Sequence, residues 1–217
     1  SRVASAVPPL ALIAPTTEAE AAWRGTGCFA ARLRARAATS TREHALVRGV
    51  YAITGGLGGL GIRAAELLVQ VGASEVLLAS RGGRVARDSE GLQAQLQSMS
   101  PIAEVAACDG AHGQEALSLL SAPALSGVLH ASGVIRDKMM YFMSADDSDL
   151  VFAPKAVAAW HLQASIQPKP LEAVALFSSM SSTFGTVGQA NYSAANSCLD
   201  VLALYHSSLG PPRSSLP

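Results

Sequence analysis

The chain has 217 residues, 49% of them hydrophobic, and its 16 basic and 16 acidic side chains cancel, which supports one sizeable core plus a small second unit. A sequence pI near 6.9 supplies no long-range field for nucleic acid or an anionic membrane, and the arginines at Arg32, Arg34 and Arg36 suit a solvated strand edge. No apolar run approaches the roughly 18 residues of a spanning helix, the start lacks the order of a secretory signal, and Cys28, Cys108 and Cys198 form no CxxC pair, so a reducing, cytoplasmic setting is expected.

Residues 1–48 are rich in Ala, Pro, Thr and Arg and read as the end of a preceding structural unit plus a linker. Within them Thr17 and Glu20 suit a helix cap, and GCFAARLRA alternates loosely enough for a strand. From Val50 a regular pattern begins. Apolar runs at 50–54, 75–80, 103–108, 127–132 and 172–179 alternate with helical stretches at about 59–71, 89–99, 112–121, 146–166 and 190–209. Runs without polar alternation predict strands covered on both faces, and their alternation with helices predicts a Rossmann-type, doubly wound parallel α/β sheet with right-handed crossovers. Ligands of such sheets bind beyond the carboxyl ends of the strands.

The first run opens into TGGLGGLG, which is Thr54, Gly55, Gly56, Leu57, Gly58, Gly59, Leu60 and Gly61, followed at once by a helix. Glycines there permit a sharp turn, close approach of a pyrophosphate and tight helix packing, so the turn predicts dinucleotide binding. Where binders of the unphosphorylated cofactor place an acid at the end of the second strand, this chain has Ser80 and Arg81. A hydroxyl and a guanidinium suit a phosphate, which points to NADPH. The third run ends in Cys108 and Asp109, where a carboxylate can accept from an adenine amino group. His130 reads as a core histidine, and Ala131, Ser132 and Gly133 after it leave room for the nicotinamide ribose. None of the five histidines shares metal spacing with another histidine or a cysteine, so no metal is expected.

Lys155 lies within DLVFAPKAVAAWHLQ, an otherwise apolar helical stretch in which a cation needs a reason. Farther on, SSMSSTFGTVGQANYSAAN sets Tyr192 thirteen residues after Ser179 and four before Asn196. A serine at the end of a buried strand and a tyrosine in the first turn of the next helix can place two hydroxyls and an amide around one reacting oxygen. Reduction of a ketone requires such a pocket, where a proton donor meets the oxygen as a hydride reaches the carbon. In isolation the same letters also fit a plain Ser/Gly loop before a small-residue helix.

Taken together, GVYAITGGLGGLG, ACDG, GVLHASGV, APKAVAAWHL and LFSSMSSTFGTVGQANYSAAN resemble the ketoreductase domains of modular polyketide synthases and of the related animal fatty acid synthase, members of the short-chain dehydrogenase/reductase superfamily. The similarity runs from about Val50 to Leu209. Most of that superfamily carries its lysine four residues after the tyrosine. Here Asn196 stands there and Lys155 supplies the cation, an exchange that the polyketide and fatty acid synthase reductases share. The resemblance implies NADPH-dependent reduction of a β-ketoacyl thioester on an acyl carrier protein, among the other domains of one synthase. Lys155, Ser179, Tyr192 and Asn196 would be catalytic, with Lys155 and Tyr192 also binding cofactor. In place of the family's two stereochemical markers stand Ile135-Arg136-Asp137 and Phe184, and the missing tryptophan leans toward a D-3-hydroxy product. GPPRSSLP follows where relatives continue into further strands and a lid, so a piece of a larger catalytic unit spanning 49–217 is expected, with an open sheet edge. A noncatalytic reductase-like module would have lost the tyrosine, the lysine or the glycine turn. A free-standing reductase of small ketones fits the exchanged lysine poorly.

Overall fold

A computed structural model of the chain describes residues 22–24, 27–29, 47–85, 91–166 and 171–209. The chain divides into two units, 1–41 and 42–217. In the first, β1 (Ala22–Arg24) and β2 (Gly27–Phe29) pair antiparallel. The start of the expected strand thus falls on β2, while Thr17, Glu20, Arg32, Arg34 and Arg36 lie outside the described residues, as do 210–217.

The second unit is built on β3 (Val50–Thr54), β4 (Glu75–Ser80), β5 (Ala103–Ala107), β6 (Leu125–His130) and β7 (Ala173–Leu176), all parallel and ordered β5-β4-β3-β6-β7. Around them run α1 (Gly59–Gln70), α2 (Leu92–Ser98), α3 (Gly113–Leu120), α4 (Ala145–Phe152), α5 (Ala158–Ile166), α6 (Ser181–Phe184) and α7 (Ala190–Leu209). Successive side chains of a strand point to opposite faces, and the two faces have separate cores. Tyr51, Ile53, Val76 and Leu78 pack with Ile62 and Ala65 of α1 and Leu92 of α2. Ala52, Leu77, Ala79 and Val128 pack with Ala116 and Leu120 of α3 and Leu162 of α5. Helices therefore cover both faces, as a doubly wound sheet requires. Leu78 is fully enclosed, and its truncation to Ala is worth about 2–5 kcal/mol.

Several boundaries differ from the sequence reading for identifiable reasons. β6 spans 125–130 rather than 127–132, because its ladder with β3 ends at Thr54 opposite His130 and Ala131 then donates its N–H to the Thr54 carbonyl (2.9 Å) before the chain leaves the sheet. β7 is shorter than 172–179, and Val174 is exposed, so Ser179 follows an edge strand of the described sheet rather than a buried one. β5, the opposite edge, exposes Glu104, Val105 and Ala107. The helix expected over 146–166 is divided by a π-helical turn at Ala153–Val157. Its start is fixed by a capping box: Ser144 Oγ accepts from the Asp147 N–H (3.2 Å), and Asp147 accepts from the Ser144 N–H (3.0 Å). The first turn of this helix is also tied by Lys138, whose ammonium lies 2.6 Å from Asp147 and, ahead of the Ser144 bonds, holds that carboxyl well below the usual range.

Candidate active site

The strand order reverses between β3 and β6, and the carboxyl ends of these two strands carry Thr54 and His130. The glycine turn leaves β3 here. Gly55 has φ +68°, and a Cβ on it would lie 2.6 Å from the Ser132 nitrogen, so the turn is pressed against the loop after β6. A Cβ on Gly61 would come within 2.6 Å of the Gly56 Cα, whereas one on Gly59 would meet nothing within 4 Å. Leu57 points into the core and Leu60 into solvent. Gly58 is the N-cap of α1, and no side chain caps that helix, so its first N–H groups and dipole face outward from the turn.

Thr54, Gly55, Ser80, Arg81, Cys108, Asp109, Ser132 and Gly133 line a single cleft of about 120 Å³, which gathers eight of the expected cofactor positions from four strand ends. Ser80 Oγ is buried there without a hydrogen-bond partner, as a hydroxyl reserved for a ligand oxygen would be. Arg81 stands exposed at the rim. Asp109 accepts from the Ala111 N–H (3.0 Å), which shapes its own loop. Burial, then Glu115 and Asp109, push the Cys108 thiol up, so it packs as a neutral group. A larger hollow of about 410 Å³ lies below β3, β4, β5 and α3. It is bordered by Glu75, Glu104 and Glu115, which repel phosphate, whereas the smaller cleft is lined by the glycine turn, Ser80, Arg81 and the loop after β6, so the dinucleotide positions belong to the smaller cleft. Uncapped helix end, partnerless Ser80 and rim arginine together fit a phosphorylated dinucleotide.

Lys155 is only 3% exposed and sits on the same buried stripe as Val151, Ala158, Ala159 and Leu162. Its ammonium donates to the Phe177 carbonyl (3.0 Å) and lies 5.4 Å from the Tyr192 ring centroid. A Cβ on Gly133 would lie 3.6 Å from the same nitrogen, so the cofactor loop and the lysine are neighbours. Burial pushes the Lys155 pKa down. Tyr192 falls in the first turn of α7, as the spacing predicts. Asn196 is fully buried; its amide donates to the Tyr192 carbonyl (2.8 Å), while its Oδ1 has no partner. Among the described residues no hydrogen bond joins Asn196 to Lys155; the ammonium is held by Phe177 instead. Ser179 lies just before α6, a short helix packed on α7. Lysine and tyrosine are thus brought face to face, and asparagine braces the tyrosine's own turn.

Three further residues shape the site. His130 Nε2 lies 2.9 Å from the Lys155 carbonyl, which only accepts, so Nε2 carries the proton; Nδ1 then accepts from the Thr54 hydroxyl at 2.6 Å. The imidazole is a strut between the glycine turn and the π-helical turn that bears the lysine. Its burial, which outweighs its bond to the Lys155 carbonyl, lowers its pKa to about 4. Asn191, also buried, donates to the Arg136 carbonyl (3.2 Å) and the Asp147 carbonyl (3.1 Å), tying the loop after β6 to α7. Ser181 Oγ and N–H both reach Ser179 Oγ. The sequence reading of His130 as a core histidine agrees with its place here, and for Asn191 the signal was a second asparagine beside Tyr192. Among the described residues no helix is long and apolar enough to cross a membrane, and no group of three or more His, Cys, Asp or Glu side chains is placed to hold a metal ion.

Sheet order, glycine turn and cleft define a Rossmann-type dinucleotide-binding protein in which a buried lysine lies beside a half-buried tyrosine. The family of KR domains matches residues 49–217, and the chain belongs to that family. A solved structure described as an A1-type ketoreductase is 34% identical with TM-score 0.75, covering 89% of this chain and 42% of that one. The first ketoreductase of the tylosin PKS is 30% identical with TM-score 0.75, covering 89% and 43%. The polyketide synthase GfsB of Streptomyces halstedii is 35% identical over 205 residues, 92% of this chain and 4% of that protein. The spectinabilin polyketide synthase system protein NorB of Streptomyces orinoci is 40% identical over 174 residues, 77% and 8%. The chain therefore spans under a tenth of these two synthases and under half of the two matched ketoreductase chains.

Proposed function

We propose that the chain reduces a β-ketoacyl thioester, carried on an acyl carrier protein, to the β-hydroxyacyl thioester with NADPH, as one domain among others in a polyketide-type synthase. Residues 49–217 are the reductase and 1–48 belong to the structural part before it. The observation that carries the reading is a buried ammonium on an apolar helix face, 5.4 Å from the ring of Tyr192. A desolvated cation is costly unless it is used, and this one faces a phenol beside a cleft fit for a dinucleotide.

Ser80 and Arg81 hold the 2′-phosphate of NADPH, the end of α1 its pyrophosphate, and Ala131, Ser132, Gly133 and Lys155 the nicotinamide ribose. When bound, NADPH supplies the hydride that the β-carbon accepts. Tyr192 gives its phenolic proton to the ketone oxygen. The ammonium of Lys155 stabilises the negative charge left on the phenol, an effect strengthened by the burial of the lysine. Ser179 donates a hydrogen bond to the same oxygen. Asn196 fixes the first turn of α7, and its unpartnered Oδ1 is an acceptor for a water that relays the next proton inward.

Replacing Tyr192 by Phe keeps shape and removes the acid. With a β-ketoacyl thioester as substrate, kcat is expected to fall by about 100-fold or more while NADPH still binds more tightly than NADH in fluorescence titration. Turnover within about threefold of the parent would refute the assignment.

A further inference from the structure

We infer that Ser181 is a positioning residue for Ser179: it fills the acceptor sites of the Ser179 oxygen and so commits the Ser179 proton to the substrate. This rests on the ketone-reducing role proposed for Ser179.

Ser179 has one hydroxyl proton and an oxygen able to accept two hydrogen bonds. Two donors reach that oxygen, the Ser181 N–H at 3.2 Å and the Ser181 hydroxyl at 3.0 Å. Ser181 is only 6% exposed, and Ser179 is only partly so, at the foot of α6. The backbone N–H cannot reverse its direction, whereas the pair of hydroxyls can carry its proton either way. A ketone oxygen carries no proton, so any bond it makes with Ser179 is donated by Ser179. In that state the Ser181 hydroxyl is the donor of the pair, and both donors draw electron density from the Ser179 oxygen, making its O–H a stronger donor. The same short helix is pinned by the Ser182 hydroxyl, which donates to the Ser179 carbonyl at 2.7 Å. Ser179 thus has a fixed backbone and an oxygen whose other directions are occupied.

The test is a double-mutant cycle on the full chain, with NADPH and a β-ketoacyl thioester. Ser179→Ala is expected to lower kcat by about 30-fold or more, and Ser181→Ala by about tenfold with KM and NADPH affinity within about twofold. In the double variant the Ser181 change is expected to add less than about twofold to the loss from Ser179→Ala, because nothing remains for Ser181 to position. A second readout needs no turnover: in Ser179→Ala the Ser181 amide, deprived of its acceptor, is expected to exchange with deuterium about tenfold faster. The inference is overturned if Ser181→Ala is within about twofold of the parent while Ser179→Ala is impaired, if the two losses multiply, or if the amide's exchange is unchanged. If Ser179→Ala itself has no effect, the role proposed for Ser179 fails first and takes this inference with it.

Discussion

His130 gives the protein's stability a defined direction of change in mild acid. Its pKa is lowered from 6.5 to about 4 because the ring is enclosed, a penalty on the charged form that outweighs the opposing effect of its bond to the Lys155 carbonyl. The unfolded chain binds a proton at this residue more readily than the folded one. Its stabilising contribution is therefore complete above the unfolded value and is lost as the pH falls from about 6.5 toward about 4. Relative to pH 7.5, the two affinities give a loss of about 1 kcal/mol at pH 5.5 and about 2–3 kcal/mol at pH 4.5, a large share of an ordinary domain's stability.

The carboxyls of Asp147 and Glu115 are also lowered, Asp147 chiefly by the Lys138 hydrogen bond and Glu115 chiefly by the Asp109 N–H. For them the stability is present above the unfolded values of 3.8 and 4.5 and disappears at lower pH, so the interval between pH 7.5 and about 5.5 isolates the histidine. Urea unfolding followed by circular dichroism at both pH values measures the loss, and His130→Gln, which cannot titrate, is expected to reduce it below about 0.3 kcal/mol. A parent protein that loses less than about 0.5 kcal/mol over that interval, or a glutamine variant with the parent's slope, would refute the reasoning.

The glycine turn yields a paired prediction. Gly61→Ala sets a methyl against backbone that cannot move aside and is expected to lower stability by about 1–3 kcal/mol, while Gly59→Ala, in open space at the start of α1, should stay within about 1 kcal/mol of the parent in the same urea assay. Equal losses would show that the turn is not packed as described. Lys155→Met exchanges a buried cation for an apolar chain on an apolar stripe, so the melting temperature is expected to hold or rise while ketone reduction falls by about 100-fold or more. A variant that is both less stable and still active would contradict the role of the ammonium.

The fold was legible because its cores repeat a simple rule. The runs VYAIT and EVLLAS match β3 and β4 residue for residue, since a central strand must be apolar on both sides and its ends are marked by glycine turns. At the sheet's edges the rule weakens. β7 is four residues long with an exposed valine, and the letters beyond it, FSSM, lead into α6 instead of lengthening the strand. The site divides in the same way. The sequence set Tyr192 in the first turn of the last helix and Lys155 on an apolar helical face, and both fall there in the structure. What it could not locate were the side-chain partnerships: that the Lys155 ammonium rests on the Phe177 carbonyl, that Asn196 turns to the Tyr192 carbonyl of its own helix, and that Ser179 is engaged by Ser181. Each depends on the direction of a side chain in three dimensions, which no periodicity encodes.

The location of the cation explains why it can come from a different helix than in most of the superfamily that the sequence resembles. Lys155 is fastened at two points, its backbone carbonyl by His130 at the end of β6 and its ammonium by the carbonyl of Phe177 just after β7. Phe177 in turn donates its N–H to the His130 carbonyl at 3.0 Å, which closes the frame. The position of the charge is therefore dictated by two adjacent strand ends, and the helix only has to deliver a long flexible chain into that frame. Delivery from inside the apolar stripe also frees the position four residues after Tyr192 for a neutral amide. Asn196 can then spend its donor on the Tyr192 carbonyl and keep an acceptor aimed into the buried interior, an arrangement a second ammonium at that place could not make without repelling the first.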